Sequence, residues 1–270
     1  IGERGGLPTQ VTHHKIIGRP NWGKSVETLQ AVDRARARGV DVTIDTYPYT
    51  ASSTSIQGAL LPAWAPEGGR KQMLARLGDA GTRAKVKAEI VRIIQNERGG
   101  GDPRNIVIAA CDWDASLAGK NLSEIARSRG LAARGPALDK ELTVDHAADA
   151  ALWIVERGGC QAVFHAIGEE DLERILRHPA TMIASDGEIP TFGVASPHPR
   201  SYGTFARVLA VYARDSQVVT LEDAIRKMTA FPAARLGLAD RGVVRPGLKA
   251  DLVVFDPAKV KDRATFERPH

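Results

Sequence analysis

Residues able to do chemistry together fall at the ends of three strand-like segments. In "LPTQVTHHKIIG" (7–18), two histidines and a lysine close an alternating run. Successive strand side chains point to opposite faces, so Val11, His13 and Lys15 share one face and Thr12 and His14 the other. In "VDVTIDTYPYTASST" (40–54), Val42 and Ile44 alternate with polar residues, and Tyr47, Ser52 and Ser53 follow them. In "TMIASDG" (181–187), Met182, Ala184 and Asp186 share a face. Ligands of parallel α/β sheets bind at strand C-termini, so three parallel strands would aim these groups into one pocket. Imidazole and carboxylate are the usual nitrogen and oxygen ligands of a catalytic zinc. An aspartate beside an activated water can act as general base. Ammonium, phenol and hydroxyl groups suit a substrate carboxylate. The set points to a metal hydrolase for an anionic substrate. One histidine and one aspartate do not fill a zinc site, and a surface "HHK" on a loop is the plain alternative.

The elements that would position these groups follow from periodicity. After the opening strand, Ser25 can cap a helix carrying Val26, Leu29, Val32 and Ala35, with Gly39 as its stop. Strand, helix and strand in close succession form a βαβ unit, which favours a parallel sheet. The rhythm breaks from about Ile56 to about Gly158, where a helical run (Val86–Glu97), a glycine-rich "ERGGGDPRN", a strand-like Ile106–Ala110 and helices after Asp145 occur. A segment of that size is expected to be an insertion with structure of its own, placed to act as a lid. Regular order returns with a strand at Gln161–Phe164, a helix at Glu169–Arg177 and a strand at Thr181–Ser185, where Gly187 would let the backbone turn after Asp186. Helices follow at Thr204–Arg214 and Leu221–Met228, the second capped by Thr220. "RGVVRPGLKADLVVFDP" then reads as a hairpin, with strands near Val243 and Leu252–Phe255 around Pro246-Gly247.

Composition narrows the class. The chain has 270 residues, 43% of them hydrophobic, with a formal charge of +5, enough for one large domain or a large domain with a smaller companion. No apolar run is long enough for a bilayer and no signal peptide is legible, so neither a membrane nor a nucleic acid is the expected partner. The densest basic patch, Arg34, Arg36 and Arg38, sits beside Asp33 and is better explained as a solvated helix face. Cys111 and Cys160 fit no metal or redox spacing, so a reduced, cytoplasmic setting is the default expectation. The chain starts at Ile1 rather than Met and stops after "FERPH", as a fragment would.

Longer motifs carry a resemblance. "THHK" with "NWGKSVETL", "DTYPYTASST", "RILRHPATMIASDG", "HPRSYGTFARVLAVYAR" and "LEDAIRKMTAFPAARLGLADRGVVRPGLKADLVVFDP" resemble, in order, the C-terminal part of the D-aminoacylase (N-acyl-D-amino-acid deacylase) family of the amidohydrolase superfamily. The resemblance implies an α/β fold: the last strands of a TIM-like (β/α)8 barrel, an inserted α/β subdomain and part of a small C-terminal β-domain. The divisions would be barrel elements at 1–55, an insertion and lid at 56–158, the end of the barrel with Asp186 at 159–235, and part of the β-domain at 236–270. It further implies a zinc cofactor (Zn2+) with His13 as a ligand, and Asp186 as the catalytic carboxylate. Lys15, Tyr47 and Ser53 would hold the substrate carboxylate, with Tyr49 and Ser52 as second choices. The partner would be a small molecule, an N-acyl-D-amino acid hydrolysed to a D-amino acid and a carboxylate. The family's remaining metal ligands, a histidine pair, a bridging cysteine and a further histidine, would lie upstream of Ile1.

Two rivals stay in view: a cyclic amidase such as a hydantoinase, whose substrate lacks the free carboxylate that "HHK" and "YPYTASST" would bind, and a catalytically inactive relative serving as a binding module. Among the other candidates, His165 is expected to be structural, and His198 could line the pocket or shape its loop. His146 marks a helix start, and Trp64 and Trp113 belong to the insertion's core rather than an acyl pocket. Gly99–Gly101 lack the strand and lysine of a phosphate loop.

Overall fold

The computed structural model describes residues 2–131 and 143–270, so residues 132–142 of the expected insertion lie outside the description. Its centre is a parallel sheet of three strands in the order β1 (Thr9–Val11), β2 (Val42–Thr46) and a last strand, Thr181–Ile183. Thr9 pairs with Val42, and Ile44 with Thr181. The middle strand is covered on both faces: Val42, Thr43, Ile44 and Thr46 are all buried, as strands of parallel sheets generally are. Helix α1 (Ser25–Ala37) connects the first two strands and brings Leu29 against Ile44.

A second sheet stands beside the first. It is antiparallel, with β3 (Ser52–Ser55) and β4 (Ile106–Ala110) on either side of β5 (Gln161–Phe164). This pairing corrects the expected division of the chain. Ser52–Ser55 and Gln161–Phe164, read as the flanks of barrel segments, belong to the sheet that contains Ile106–Ala110. Strand period alone cannot say which sheet a strand joins, because it reports which side chains share a face and not which backbone pairs with the strand. Helices α2 (Ala80–Ile93), α3 (Leu122–Ser128) and α4 (Val144–Glu156) close over this sheet. Ile90, Leu122, Leu152, Ile106, Ile108 and Phe164 make a continuous core there.

The cysteines also need correcting. Cys111, just after β4, and Cys160, just before β5, are joined by a disulfide, although 49 residues separate them in sequence. Antiparallel pairing brings the two positions together, and linear spacing does not reveal it.

The remaining helices, α5 (Glu169–Arg177), α6 (Arg200–Arg207) and α7 (Leu221–Met228), pack around the last strand of the parallel sheet, which we label β6. Leu172, Leu176, Ile183, Val208 and Tyr212 form the core between them. Thr220 caps α7 as expected, its hydroxyl accepting the Asp223 N–H at 3.1 Å. The expected C-terminal hairpin is absent: residues 243–255 form no strand, and Val253 and Val254 are 85% and 99% exposed. An alternating apolar segment becomes a strand only where another backbone pairs with it, and among the described residues none does. No helix of the described residues is long and apolar enough to cross a membrane.

Candidate active site

The C-terminal ends of β1, β2 and β6 open into a cavity of about 870 Å³. His13, Lys15, Tyr47, Ser53 and Asp186 all line it, as does the second-choice Ser52. The ends of the three parallel strands bring His13, Lys15, Tyr47 and Asp186 to one space, and β3 of the second sheet adds Ser53.

His13 and Lys15 meet, though not along a strand. β1 ends at Val11, and His13 occupies a left-handed turn (φ 40°). Three contacts hold that turn. The His13 N–H donates to Asp45 Oδ1 at 2.7 Å. The Lys15 ammonium donates to the His13 carbonyl at 2.5 Å and lies 2.8 Å from His13 Nδ1. His14 points elsewhere, its Nε2 3.0 Å from Thr28 Oγ1. Burial pushes the Lys15 ammonium down to about 8, with Asp186 opposing the shift.

Asp186 is also left-handed, with φ 49°. The sharp turn expected at Gly187 is therefore made one residue earlier. Gly187 serves close approach instead: a Cβ there would stand 2.8 Å from the Ser201 Cα. The Asp186 carboxylate pairs with Arg200 at 2.8 Å, and that guanidinium is nearly buried. Arg200 also lies against the Tyr47 ring, 4.7 Å from its centroid, while the Lys15 ammonium lies 5.3 Å from the same ring. Burial lifts the Tyr47 phenol well above its ordinary range, so it stays a proton donor. Its hydroxyl and the Ser52 hydroxyl are buried without a hydrogen-bond partner. Orphaned buried donors at a cavity wall mark a place where a polar ligand group belongs. Tyr49 is different: its hydroxyl is 3.2 Å from Asp262 Oδ2, which makes it structural.

Arg200, Arg98 and Asp45 were not singled out from the sequence. Arg200 was within reach, because it sits in "HPRSYGTF" and a carboxylate at a strand end calls for a counter-charge. His198 backs this region without lining the main cavity. It is 97% buried, with Nε2 3.0 Å from the Ala51 carbonyl and Nδ1 accepting the Arg200 N–H at 3.0 Å. It shapes the loop that carries Arg200. His165 packs its ring against Phe266 and His146 bonds to Thr143 at a helix start, so both are structural. Trp113 packs against the second-sheet core, and neither it nor Trp64 lines the cavity.

The donor set can be tested for a metal. Among the described residues no three His, Cys, Asp or Glu side chains gather into a metal-binding group. His13 offers a free Nε2, and Asp186 a carboxylate, to the same cavity. The donor types suit zinc, and their number falls short of a full shell.

The amidohydrolase family's sequence profile matches residues 3–270. An N-acyl-D-glutamate deacylase of Alcaligenes xylosoxydans xylosoxydans is 36% identical over 272 residues, covering all of this chain and 43% of that protein. A D-aminoacylase of the same organism is 37% identical over 270 residues, again covering all of this chain and 43% of that protein. The crystal structure of the N-acyl-D-glutamate deacylase from Bordetella bronchiseptica, complexed with zinc and a phosphonate mimic of the tetrahedral intermediate, superposes with a TM-score of 0.71. It is 34% identical and covers 99% of this chain and 44% of that one. The chain thus spans less than half the length of the relatives it matches.

Proposed function

The chain belongs to the amidohydrolase family, and from that premise we propose that it carries the substrate-binding half of a metal-dependent N-acyl-D-amino-acid deacylase. The observation that carries the reading is the convergence of Lys15, Tyr47, Ser52, Ser53 and Asp186 on one cavity, with two buried hydroxyls lacking a partner. In this reading the parallel sheet is the last part of a (β/α)8 barrel. The second-sheet module is the lid over its mouth, reaching the cavity through Ser52–Ser55, Gly58 and Gln161.

The α-carboxylate of the substrate sits against the Lys15 ammonium and accepts hydrogen bonds from Tyr47 and from the Ser52–Ser53 pair. That grip fixes which enantiomer presents its amide to Asp186. His13 is a zinc ligand through Nε2, with the other ligands supplied from outside these residues. Bound there, zinc supplies Lewis-acid activation of water and of the scissile carbonyl. Asp186 accepts the proton of the attacking water and returns it to the leaving amine. Arg200 holds the Asp186 carboxylate in place for both transfers.

Replacing Lys15 tests the grip. In the full-length polypeptide, Lys15→Met should raise the KM for N-acetyl-D-methionine about 30-fold, the loss of one charged hydrogen bond of about 2 kcal/mol. An unchanged KM would remove Lys15 from the carboxylate site.

A further inference from the structure

The cavity holds a cation that the proposed reaction does not use. Arg98 enters it from the second-sheet module, at the end of the π-helical turn Ile94–Arg98. The glycine-rich run after it is an anchor. The N–H groups of Gly99 and Gly101 both donate to the Ile94 carbonyl, at 3.2 and 3.1 Å, and Asn105 Nδ2 donates to the Gly99 carbonyl at 2.9 Å. From the other side Gly18 (φ 87°) packs directly on the turn: a Cβ there would stand 2.4 Å from the Asn96 carbonyl oxygen. Arg98 is therefore clamped between the two sheets rather than waving at the surface.

Its guanidinium is half-buried, with Cζ 6.0 Å from the centroid of Phe164. Among the described residues it has no carboxylate within ion-pair distance and makes no side-chain hydrogen bond. The other two cations of the cavity are engaged, Arg200 with Asp186 and Lys15 with His13. Glu188, exposed at the rim, does not reach Arg98. A guanidinium held in a cavity without a counter-charge is partly desolvated for nothing within the protein. Its planar fork is matched to a carboxylate, which it can bind through two parallel hydrogen bonds.

We propose that Arg98 binds a second carboxylate on the substrate, so that the site selects N-acyl-D-amino acids carrying an acid besides the α-carboxylate, on the side chain or on the acyl group. The inference rests on the deacylase reading given above. The two sources of the second acid are separated by substrate pairs of similar size: N-acetyl-D-glutamate against N-acetyl-D-glutamine, and N-succinyl-D-leucine against N-acetyl-D-leucine. With the metal-loaded full-length enzyme, the charged member of one pair should lead in kcat/KM. Arg98→Gln should cut that ratio about 30-fold, chiefly through KM, as expected for one lost charge-assisted pair of about 2 kcal/mol. Arg98→Glu should invert the preference. A merely structural Arg98 would slow both members of a pair alike, and that result would overturn the inference. So would wild-type enzyme that turns over the neutral members as well as the charged ones, which leaves the deacylase reading standing. Turnover of no acylated D-amino acid would bring down that reading and this inference together.

Discussion

At His13 and Asp186 the backbone adopts a left-handed conformation that L-residues other than glycine avoid, at about 1–2 kcal/mol each. Asp45 holds the first turn and Arg200 is paired to the carboxylate of the second, so both strained residues are tied to a charged neighbour. His13 and Lys15 were expected to meet through strand alternation, and a left-handed turn beyond the end of β1 brings them together instead. Arg98 and Arg200 were not selected, because a cation's partner, or its lack of one, depends on tertiary placement. His198 carries a pH prediction. Burial, with Arg200 nearby, pushes its imidazole down to about 3. Above pH 6.5 the histidine is neutral folded and unfolded. Below that the unfolded chain takes up a proton that the folded one refuses, so this residue's share of stability falls as pH drops toward 3. The slope approaches about 1.4 kcal/mol per pH unit, and urea unfolding of wild type against His198→Gln between pH 7 and 5 should show the difference. A His198 resonance titrating near 6.5 would contradict it.

Among the elements, β4, β5, α5 and α7 were legible to the residue, since each has a clear period and a marked boundary. The sheet that β3 and β5 join was not, and the C-terminal hairpin failed for want of a pairing backbone. The start of α1 shows how tertiary structure replaces a local signal. Ser25, read as the cap, is the first helical residue, and the capping is done from α5. The buried Asp171 carboxylate accepts the N–H groups of Gly23 (2.8 Å) and Ser25 (3.1 Å) and the Ser25 hydroxyl (2.5 Å). Asp171→Ala strips those donors of their acceptor and leaves Arg174 without its ion pair. A loss of about 3 kcal/mol in denaturant unfolding is expected, and a loss below 1 kcal/mol would mean water replaces the carboxylate freely.

For the molecule as a whole, two sheets with separate cores border one cavity, His13, Lys15, Tyr47 and Asp186 lining it from the ends of the parallel sheet and Ser52, Ser53 and Arg98 from the antiparallel module. Family membership was legible from the motifs at both ends of the chain, which the amidohydrolase match spans. A complete metal site was not, because among the described residues no three His, Cys, Asp or Glu side chains gather into a metal-binding group. The most direct test is hydrolysis of paired N-acetyl-D- and N-acetyl-L-amino acids by the full-length polypeptide, with zinc, after chelation, and with Asp186→Asn. The account predicts zinc-dependent turnover of the D series alone, lost on chelation and reduced at least ~100-fold by the substitution, which removes the general base. Turnover of the L series, or turnover of the D series that survives both chelation and Asp186→Asn, would contradict it.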